Sequence, residues 1–298
     1  MANELYRKLL LIVNPVSGKK MILPVLTDVI RSFMDEGYYV TVMVTGGRGD
    51  ATEFAVKYAK DYNLIVCAGG DGTINETITG LASIGLKKPI GYIPCGSTND
   101  FATSHGLSTD LMTAAKNAVS GAVMSYDVGR FDNKCFVYVA AFGAFTGISY
   151  NTDQTLKNAM GHAAYIMSGI WELSQIRAIK AKITADGKVY EGDFLFGAVC
   201  NTNTIGGTLT LPDNLVNMSD GKLELLLIRM PEDLIDLEEI VSGLFDRDYS
   251  SPLLELVQAK EVRVETPEPL EWALDGEASG LYTDVTVTTL PKFLHLRS

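Results

Sequence analysis

Histidine, cysteine and positive charge are all scarce in this sequence, and each scarcity excludes something. The three histidines, His105, His162 and His295, stand far apart and lack the spacing of a metal-binding helix. The four cysteines, Cys67, Cys95, Cys135 and Cys200, form no paired-cysteine metal motif and no disulfide framework. Three of them lie in apolar runs and read as small buried side chains. Cys95 sits in a turn beside Gly96. Lys and Arg total 25 against 36 Asp and Glu, a net charge of -11. Such a chain is a poor partner for nucleic acid, because neutralising phosphates requires a basic face. It also has little attraction for anionic membranes. No apolar run is long enough to span a bilayer; the richest, "CFVYVAAFGAF", is interrupted by glycine. The opening "MANELYRKLLLIVNP" has no small-residue cleavage pattern, so the expected location is the cytoplasm.

What remains is a globular chain of 298 residues, 47% hydrophobic, long enough for one large domain or two of ordinary size with a substantial core. Strands and helices alternate through the first 128 residues. "KLLLIVNP", "YYVTVMV", "NLIVCA" and "PIGYIP" read as strands. The helices expected between and after them are Ile22–Glu36, "ATEFAVKYAKDY", "TINETITGLASI" and short pieces through "DLMTAAKNAVSG". Asp50 and Glu53 are expected to form a capping box at the second helix. Continuous apolar strands alternating with helices imply a parallel sheet covered on both faces. From about Val128 the pattern turns to β-strands, with an "ADGK" hairpin signal. Two helices, near Thr152–Ile176 and Glu232–Phe245, interrupt them. The expected division is 1–128 for an α/β nucleotide-binding domain, with 290–298 packing back on it, and 129–289 for a mostly antiparallel β domain.

Three turns at the carboxyl ends of the early strands carry the chemistry. In an open α/β sheet, ligands bind at that edge. "GGDGT" (Gly69, Gly70, Asp71, Gly72, Thr73) leaves the third strand and opens a helix. Its bare backbone suits close approach by a phosphate, and the helix N-terminus favours an anion. Asp71 is out of place beside a phosphate unless a cation intervenes, which suggests Mg²⁺; the plainer reading is a helix cap. "NPVSGKK" follows the first strand. It lacks the earlier glycine and the following Ser or Thr of a Walker A loop, yet Asn14, Ser17 and Gly18 can donate to a nucleotide. "PCGSTNDFA" follows the fourth strand and brings Ser97 and a second carboxylate, Asp100. Alternatively Thr98 or Asn99 simply caps a helix.

"NPVSGKK", "GGDGTINE", "GSTNDFA" and the C-terminal "LDGE" together resemble the diacylglycerol kinase catalytic domain, in particular the soluble bacterial lipid kinases of the YegS/BmrU type. The likeness extends over nearly the whole chain. It implies an α/β fold, with an N-terminal three-layer α/β nucleotide-binding domain and a C-terminal, mostly antiparallel β-sandwich domain. The implied activity is transfer of the γ-phosphoryl of ATP to a lipid hydroxyl, with Mg²⁺. The nucleotide residues implied are Asn14, Ser17, Gly18, Thr45, Gly69, Gly70, Asp71, Gly72, Thr73, Asn75, Glu76 and Ser97. The implied catalytic residues are Asp71, Asp100 and Asp127 around magnesium, with Asp275 and Glu277 as an acidic pair that accepts the hydroxyl proton. A structural Mg²⁺ site is implied in "NMSDGK", with Asp220 as side-chain ligand and carbonyls near Asn217 and Lys222. The partners implied are a lipid substrate at the membrane surface, met by transient association, and a second copy of the chain in a homodimer. The family's usual "DFAR" is "DFAT" here, so Thr103 replaces a basic residue. An NAD kinase-like enzyme sharing "GGDGT" and an inactive nucleotide-binding regulatory protein are the competing readings. Retention of all five acidic residues argues against the second.

Overall fold

The computed structural model describes residues 7–18, 22–97, 99–144, 177–205, 209–212 and 215–298. The helix expected at Thr152–Ile176, and His162 within it, lies outside the described residues. The chain divides into two compact units. The first runs to Val128 and takes in Asn133–Cys135 and Lys292–Ser298; the second holds Gly129–Asp132 and the residues from Phe136 to Pro291.

The first unit alternates β1 (Arg7–Val13), α1 (Leu26–Asp35), β2 (Tyr38–Val44), α2 (Asp50–Tyr58), β3 (Leu64–Gly69), α3 (Asp71–Ser83) and β4 (Pro89–Pro94). Helices α4 (Asp100–Ser104) and α5 (Leu111–Ser120) and strand β5 (Val123–Phe131) follow. The strands are parallel in the order β2-β1-β3-β4, and the chain's last residues, His295–Arg297, pair in parallel beside β4. Successive strand side chains point to opposite faces. Leu9, Leu11 and Val13 pack with Val29 and Phe33 of α1 and with Ala115 and Ala118 of α5. Leu10 and Ile12 face the other way and are equally buried. Helices α2 and α3 pack together there, against β1 and β3 respectively. Two covered faces explain why β1 and β3 read as unbroken apolar runs.

Two local expectations are corrected. Helix α1 begins at Leu26, not Ile22, because Pro24 holds Leu23–Val25 in a 3₁₀ turn. The Asp50–Glu53 capping box does not form. Gly49, at φ 90°, occupies the cap position. Asp50 lies inside the helix, and its Oδ2 accepts from the N–H groups of Gly46 (2.7 Å) and Gly47 (3.0 Å).

The second unit is antiparallel. Its strands are β6 (Lys134–Phe136, shared with the first unit), β7 (Val139–Gly143), β8 (Ile179–Ala185), β9 (Lys188–Cys200), the short pair β10 (Thr204–Ile205) and β11 (Leu209–Thr210), and β12 (Leu223–Arg229). After helix α6 (Leu234–Asp246) come β13 (Leu254–Ala259), β14 (Glu261–Leu274) and β15 (Glu277–Arg297), whose end returns to the first unit. The described part of the apolar run, residues 135–144, thus carries the end of β6 and the whole of β7. Strand order runs β13-β12-β9-β7-β14-β15, with β8 between β9 and β14. Leu223, Leu225 and Leu227 join a core built on Trp272, which meets Phe131 and Phe142 edge-to-face at 4.9 and 4.8 Å. Leu226 and Ile228, on the other face, pack with Ile240 of α6. The architecture is α/β in the first unit and antiparallel β in the second.

Candidate active site

The three small-residue turns meet at one sheet edge. Asn14 begins the turn after β1; its N–H donates to Ala68 O at 2.9 Å, and its Nδ2 donates to Thr73 Oγ1 at 3.1 Å. Ser17, buried, accepts the Gly70 N–H on its Oγ at 3.0 Å. Gly18 has φ 52° and lies against the Cys95 carbonyl so closely that a Cβ would collide with it. Only glycine suits both conditions. Gly70 and Gly96 also pass close to one another: a Cβ on Gly96 would sit 3.0 Å from the Gly70 Cα. Gly72 is exposed at the start of α3, and Thr73 is buried beneath it. Asn75 Oδ1 accepts from Thr79 at 3.4 Å. Glu76 Oε1 accepts the Gly49 N–H at 2.8 Å, which ties α3 to the glycine loop after β2. Thr45 heads that loop, buried, with its N–H on Val13 O at 2.9 Å. Ser97 is exposed on the third turn.

Asp71 does not cap its own helix. Its carboxylate crosses to α4 and accepts from the N–H groups of Phe101 (Oδ1, 2.9 Å) and Asp100 (Oδ2, 3.2 Å). Asn99, the residue expected to cap α4, sits at φ 54° and turns its Oδ1 back to the Gly96 N–H at 2.8 Å. The second turn is thus clamped to the third: Asp71 reaches across to the start of α4, while Asn99 closes its own turn. Asp100 stands at the start of α4. Burial, and then the Asp71 charge, push its carboxyl above the usual value. A carboxylate raised in part by a neighbouring negative charge is what a divalent cation would relieve, so oxygen-donor chemistry here fits Mg²⁺. Asp127, 1% exposed on β5, accepts the Lys292 N–H at 2.7 Å. Among the described residues no group of three or more His, Cys, Asp or Glu side chains is arranged to hold a metal. The fit is therefore to a cation shared with waters and phosphate oxygens rather than one caged by carboxylates.

The remaining candidates lie in the second unit. Asp275 and Gly276 form the two-residue turn of the β14–β15 hairpin, with Leu274 opposite Glu277. Asp275 has φ 48°. Its carboxylate accepts three backbone N–H groups, from Val137 (2.8 Å), Tyr138 (2.8 Å) and Val139 (3.0 Å). Glu277, across the turn, is exposed. Two other aspartates share the device. Asp186, φ 45°, in the β8–β9 turn accepts from Lys260 and Glu261, and Asp132, φ 50°, accepts from Thr286 at 3.1 Å. In the "NMSDGK" turn, Asp220 Oδ1 accepts the Lys222 N–H at 3.0 Å, and the Asn217 carbonyl accepts from Ser219 at 2.7 Å.

The sequence reading missed Glu224, 2% exposed, two residues beyond that turn. Gln258 donates to it at 3.2 Å. Burial first, and then the Asp220 charge, push its carboxyl up to about 7. The signal was a charge inside "LELLLI", a run apolar on both faces. Cys95 is buried, and burial pushes its thiol up to about 12, so it is no nucleophile at neutral pH.

Both halves of the chain match known protein families. Residues 8–131 match the diacylglycerol kinase catalytic domain, and residues 142–298 match the YegS C-terminal NAD kinase beta sandwich-like domain. The chain is 32% identical over 274 residues to a diacylglycerol kinase of Bacillus subtilis, covering 91% of this chain and 90% of that one. It is 32% identical over 273 residues to a diacylglycerol kinase of Staphylococcus saprophyticus, covering 91% and 88%. A crystal structure of a diacylglycerol kinase from Bacillus anthracis superposes with a TM-score of 0.75 at 27% identity, covering 98% of this chain and 96% of that one. With both halves matched in order and nine-tenths of its length aligned, the chain belongs to the YegS-type diacylglycerol kinase family and is a lipid kinase.

Proposed function

We propose that this lipid kinase transfers the γ-phosphoryl group of ATP to the hydroxyl of diacylglycerol or a related lipid alcohol, with Mg²⁺. The observation that carries the reading is the Asp71 carboxylate, fixed by two backbone N–H groups where three glycine-bearing turns converge. Phosphoryl transfer depends on positioning and charge neutralisation. The bare backbone at Gly69, Gly70 and Gly72 admits phosphate oxygens, and the N-terminus of α3 favours their charge. Asn14, Ser17, Thr45, Asn75, Glu76 and Ser97 shape the nucleotide side. Bound Mg²⁺, held by Asp71, Asp100 and Asp127 in part through waters, would neutralise charge on the phosphate oxygens. The lipid hydroxyl oxygen bonds to the γ-phosphorus as its bond to ADP breaks, and the hydroxyl proton passes to the Asp275–Glu277 pair.

Asn217, Asp220 and Lys222 would hold a second, structural Mg²⁺ with oxygen ligands, Asp220 by its side chain and the others by their carbonyls. Among the described residues no helix is long and apolar enough to cross a membrane, so the lipid would be met by transient contact at the membrane surface. The test is purified protein with labelled ATP and Mg²⁺, offered mixed micelles of diacylglycerol, monoacylglycerol, ceramide, sphingosine and phosphatidylglycerol, with NAD in a parallel tube. Label in one lipid names the acceptor. Label in NAD alone overturns the lipid assignment.

A further inference from the structure

The peptide group between Gly69 and Gly70 has no Cβ on either side, and it stands where β3 gives way to α3. Gly69 has no substitute: a Cβ there would sit 2.6 Å from the Thr73 side chain. Two adjacent glycines leave the peptide between them easy to rotate, because no side chain resists the change in the flanking dihedrals. The fold nevertheless holds both of its polar groups. The Gly69 carbonyl accepts the Cys95 N–H at 2.8 Å and the Tyr92 hydroxyl at 3.1 Å. The Gly70 N–H donates to Ser17 Oγ at 3.0 Å. In a trans peptide these two groups point opposite ways. The carbonyl is therefore turned toward β4, and the N–H toward the turn after β1.

The Cys95 bond continues the β3–β4 ladder, since Gly69 lies opposite Pro94. The Tyr92 bond is an addition to that ladder. Tyr92 stands opposite Cys67, is 2% exposed, and reaches along β3 to its end. A carbonyl only accepts, so the hydroxyl donates. Burial pushes that hydroxyl above its ordinary pKa, so it keeps the hydrogen it gives. Phe101 meets the Tyr92 ring edge-to-face at 5.2 Å and steadies it. A flip of the peptide would swing the carbonyl oxygen to the Ser17 side, among the small-residue turns. A phosphate there needs N–H donors and is repelled by a carbonyl oxygen.

We propose that the Tyr92 hydroxyl keeps the Gly69–Gly70 peptide in the orientation that admits a nucleotide phosphate, which makes Tyr92 a positioning residue for nucleotide binding. This rests on the reading of the glycine turn as a phosphate site. A nucleotide that binds only the unflipped form loses apparent affinity as the flipped fraction grows. At saturation the bound protein is all in the unflipped form. Loss of the hydroxyl therefore acts on nucleotide affinity and not on kcat.

The experiment compares wild type, Tyr92→Phe and Phe33→Leu as full chains. Tyr92→Phe keeps the ring and its contact with Phe101 and removes only the donor. Phe33 packs with Ile93, whose side chain faces away from that of Tyr92. Phe33→Leu thus lowers Tm from a core that Tyr92 does not share. Exchange of the Gly70 amide is followed by NMR on glycine-labelled protein without nucleotide. Binding of a fluorescent ATP analogue, kcat and Tm are measured on the same samples. Tyr92→Phe should speed Gly70 exchange and weaken analogue binding by roughly threefold each, with kcat and KM for lipid near wild type; one net hydrogen bond sets a ceiling of about tenfold. Phe33→Leu should lower Tm and move neither quantity. Unchanged Gly70 exchange in Tyr92→Phe would overturn the proposal, because the Cys95 bond alone would then hold the peptide. Faster exchange with unchanged analogue binding would overturn it too, because the carbonyl would not matter to the ligand. Equal effects in Phe33→Leu would reduce Tyr92 to packing. Wild type that binds no analogue would overturn the phosphate reading of the turn, a result distinct from wild-type binding that Tyr92→Phe leaves untouched.

Discussion

Asp71 in the first unit and Asp275 in the second both spend their carboxylates on backbone N–H groups of another segment. The settings differ. Asp71 lies where glycines from three turns nearly touch, beside a second carboxylate that its charge perturbs. Nothing in that arrangement is needed to hold a sheet together. Asp275 occupies a two-residue hairpin turn at positive φ, and Asp186 occupies another with the same reach to a neighbouring strand. In the second unit the aspartate turn is a repeated building device, and Asp275 is one copy of it. Its proposed role in proton transfer is therefore added to a structural one. For Asp71 the structural role, capping the five-residue α4, is the smaller part.

The first way to break the comparison is Asp71→Asn. The amide keeps the shape, loses the charge and turns an NH₂ toward one of the two α4 N–H groups. Turnover should fall on the order of a thousandfold, the scale of removing a central electrostatic group. Stability should fall by only about 1 kcal/mol, the scale of a lost helix cap. Activity within tenfold of wild type, measured with labelled ATP, would make Asp71 a cap and nothing more.

Asp275→Asn and Asp186→Asn belong together as a second test. At 275, Oδ1 serves Tyr138 and Val139 while Oδ2 serves Val137. An asparagine oxygen can keep the first two, but its NH₂ then faces the Val137 N–H. Both variants should lose about 1–3 kcal/mol by denaturant titration, the scale of an unmet hydrogen bond. Only Asp275→Asn should also lose most turnover, by roughly a hundredfold under conditions where both remain folded. Equal activity in the two variants would leave Asp275 as a strand clasp and place proton transfer elsewhere, with Glu277 the next residue to change.

Legibility in the sequence followed the same division. The first unit was readable because each layer has a period. Apolar runs covered on both faces gave the strands, and glycine turns at their ends gave the edge where the candidate residues gather. What sequence could not give was the reach of Asp71 to the start of α4. Both Asp71 and Asn99 have cap chemistry, and the spacing alone assigns each to its own helix; the close passage of Gly70 against Gly96 brings Asp71 to α4, and Asn99 turns back on Gly96. The Asp50–Glu53 box failed for a related reason: Gly49 at φ 90° moved the helix start by one residue. In the second unit, "ADGK" was readable as a turn, and "LDGE" carries the same Asp-Gly turn chemistry. That their aspartates reach to other strands depends on which strands become neighbours, and this is non-local. Glu224 was legible as an anomaly, a charge in a buried run, but its consequence emerges only once the fold shows how completely it is buried.

Glu224 gives the smallest effect and tests whether the second unit carries a stored electrostatic cost. Its carboxyl is raised from the ordinary 4.5 to about 7, chiefly by burial. The folded state thus holds a proton at pH values where the unfolded state has released it. Stability must then fall as pH rises from about 4.5 to about 7 and level off above that, since the slope follows the excess of protons bound by the native state. Glu224→Gln keeps an acceptor for Gln258 and removes the titration. Its thermal unfolding should lose that downward slope, leaving the variant about as stable as wild type near pH 4.5, where Glu224 is already neutral, and more stable near pH 8. Divalent cation should narrow the gap at pH 8 if the Asn217–Lys222 turn holds Mg²⁺, because a cation near Asp220 offsets the charge that Glu224 meets. A wild-type profile parallel to that of Glu224→Gln, with or without Mg²⁺, would mean that the carboxylate is solvated in solution and that the turn beside it is only a turn.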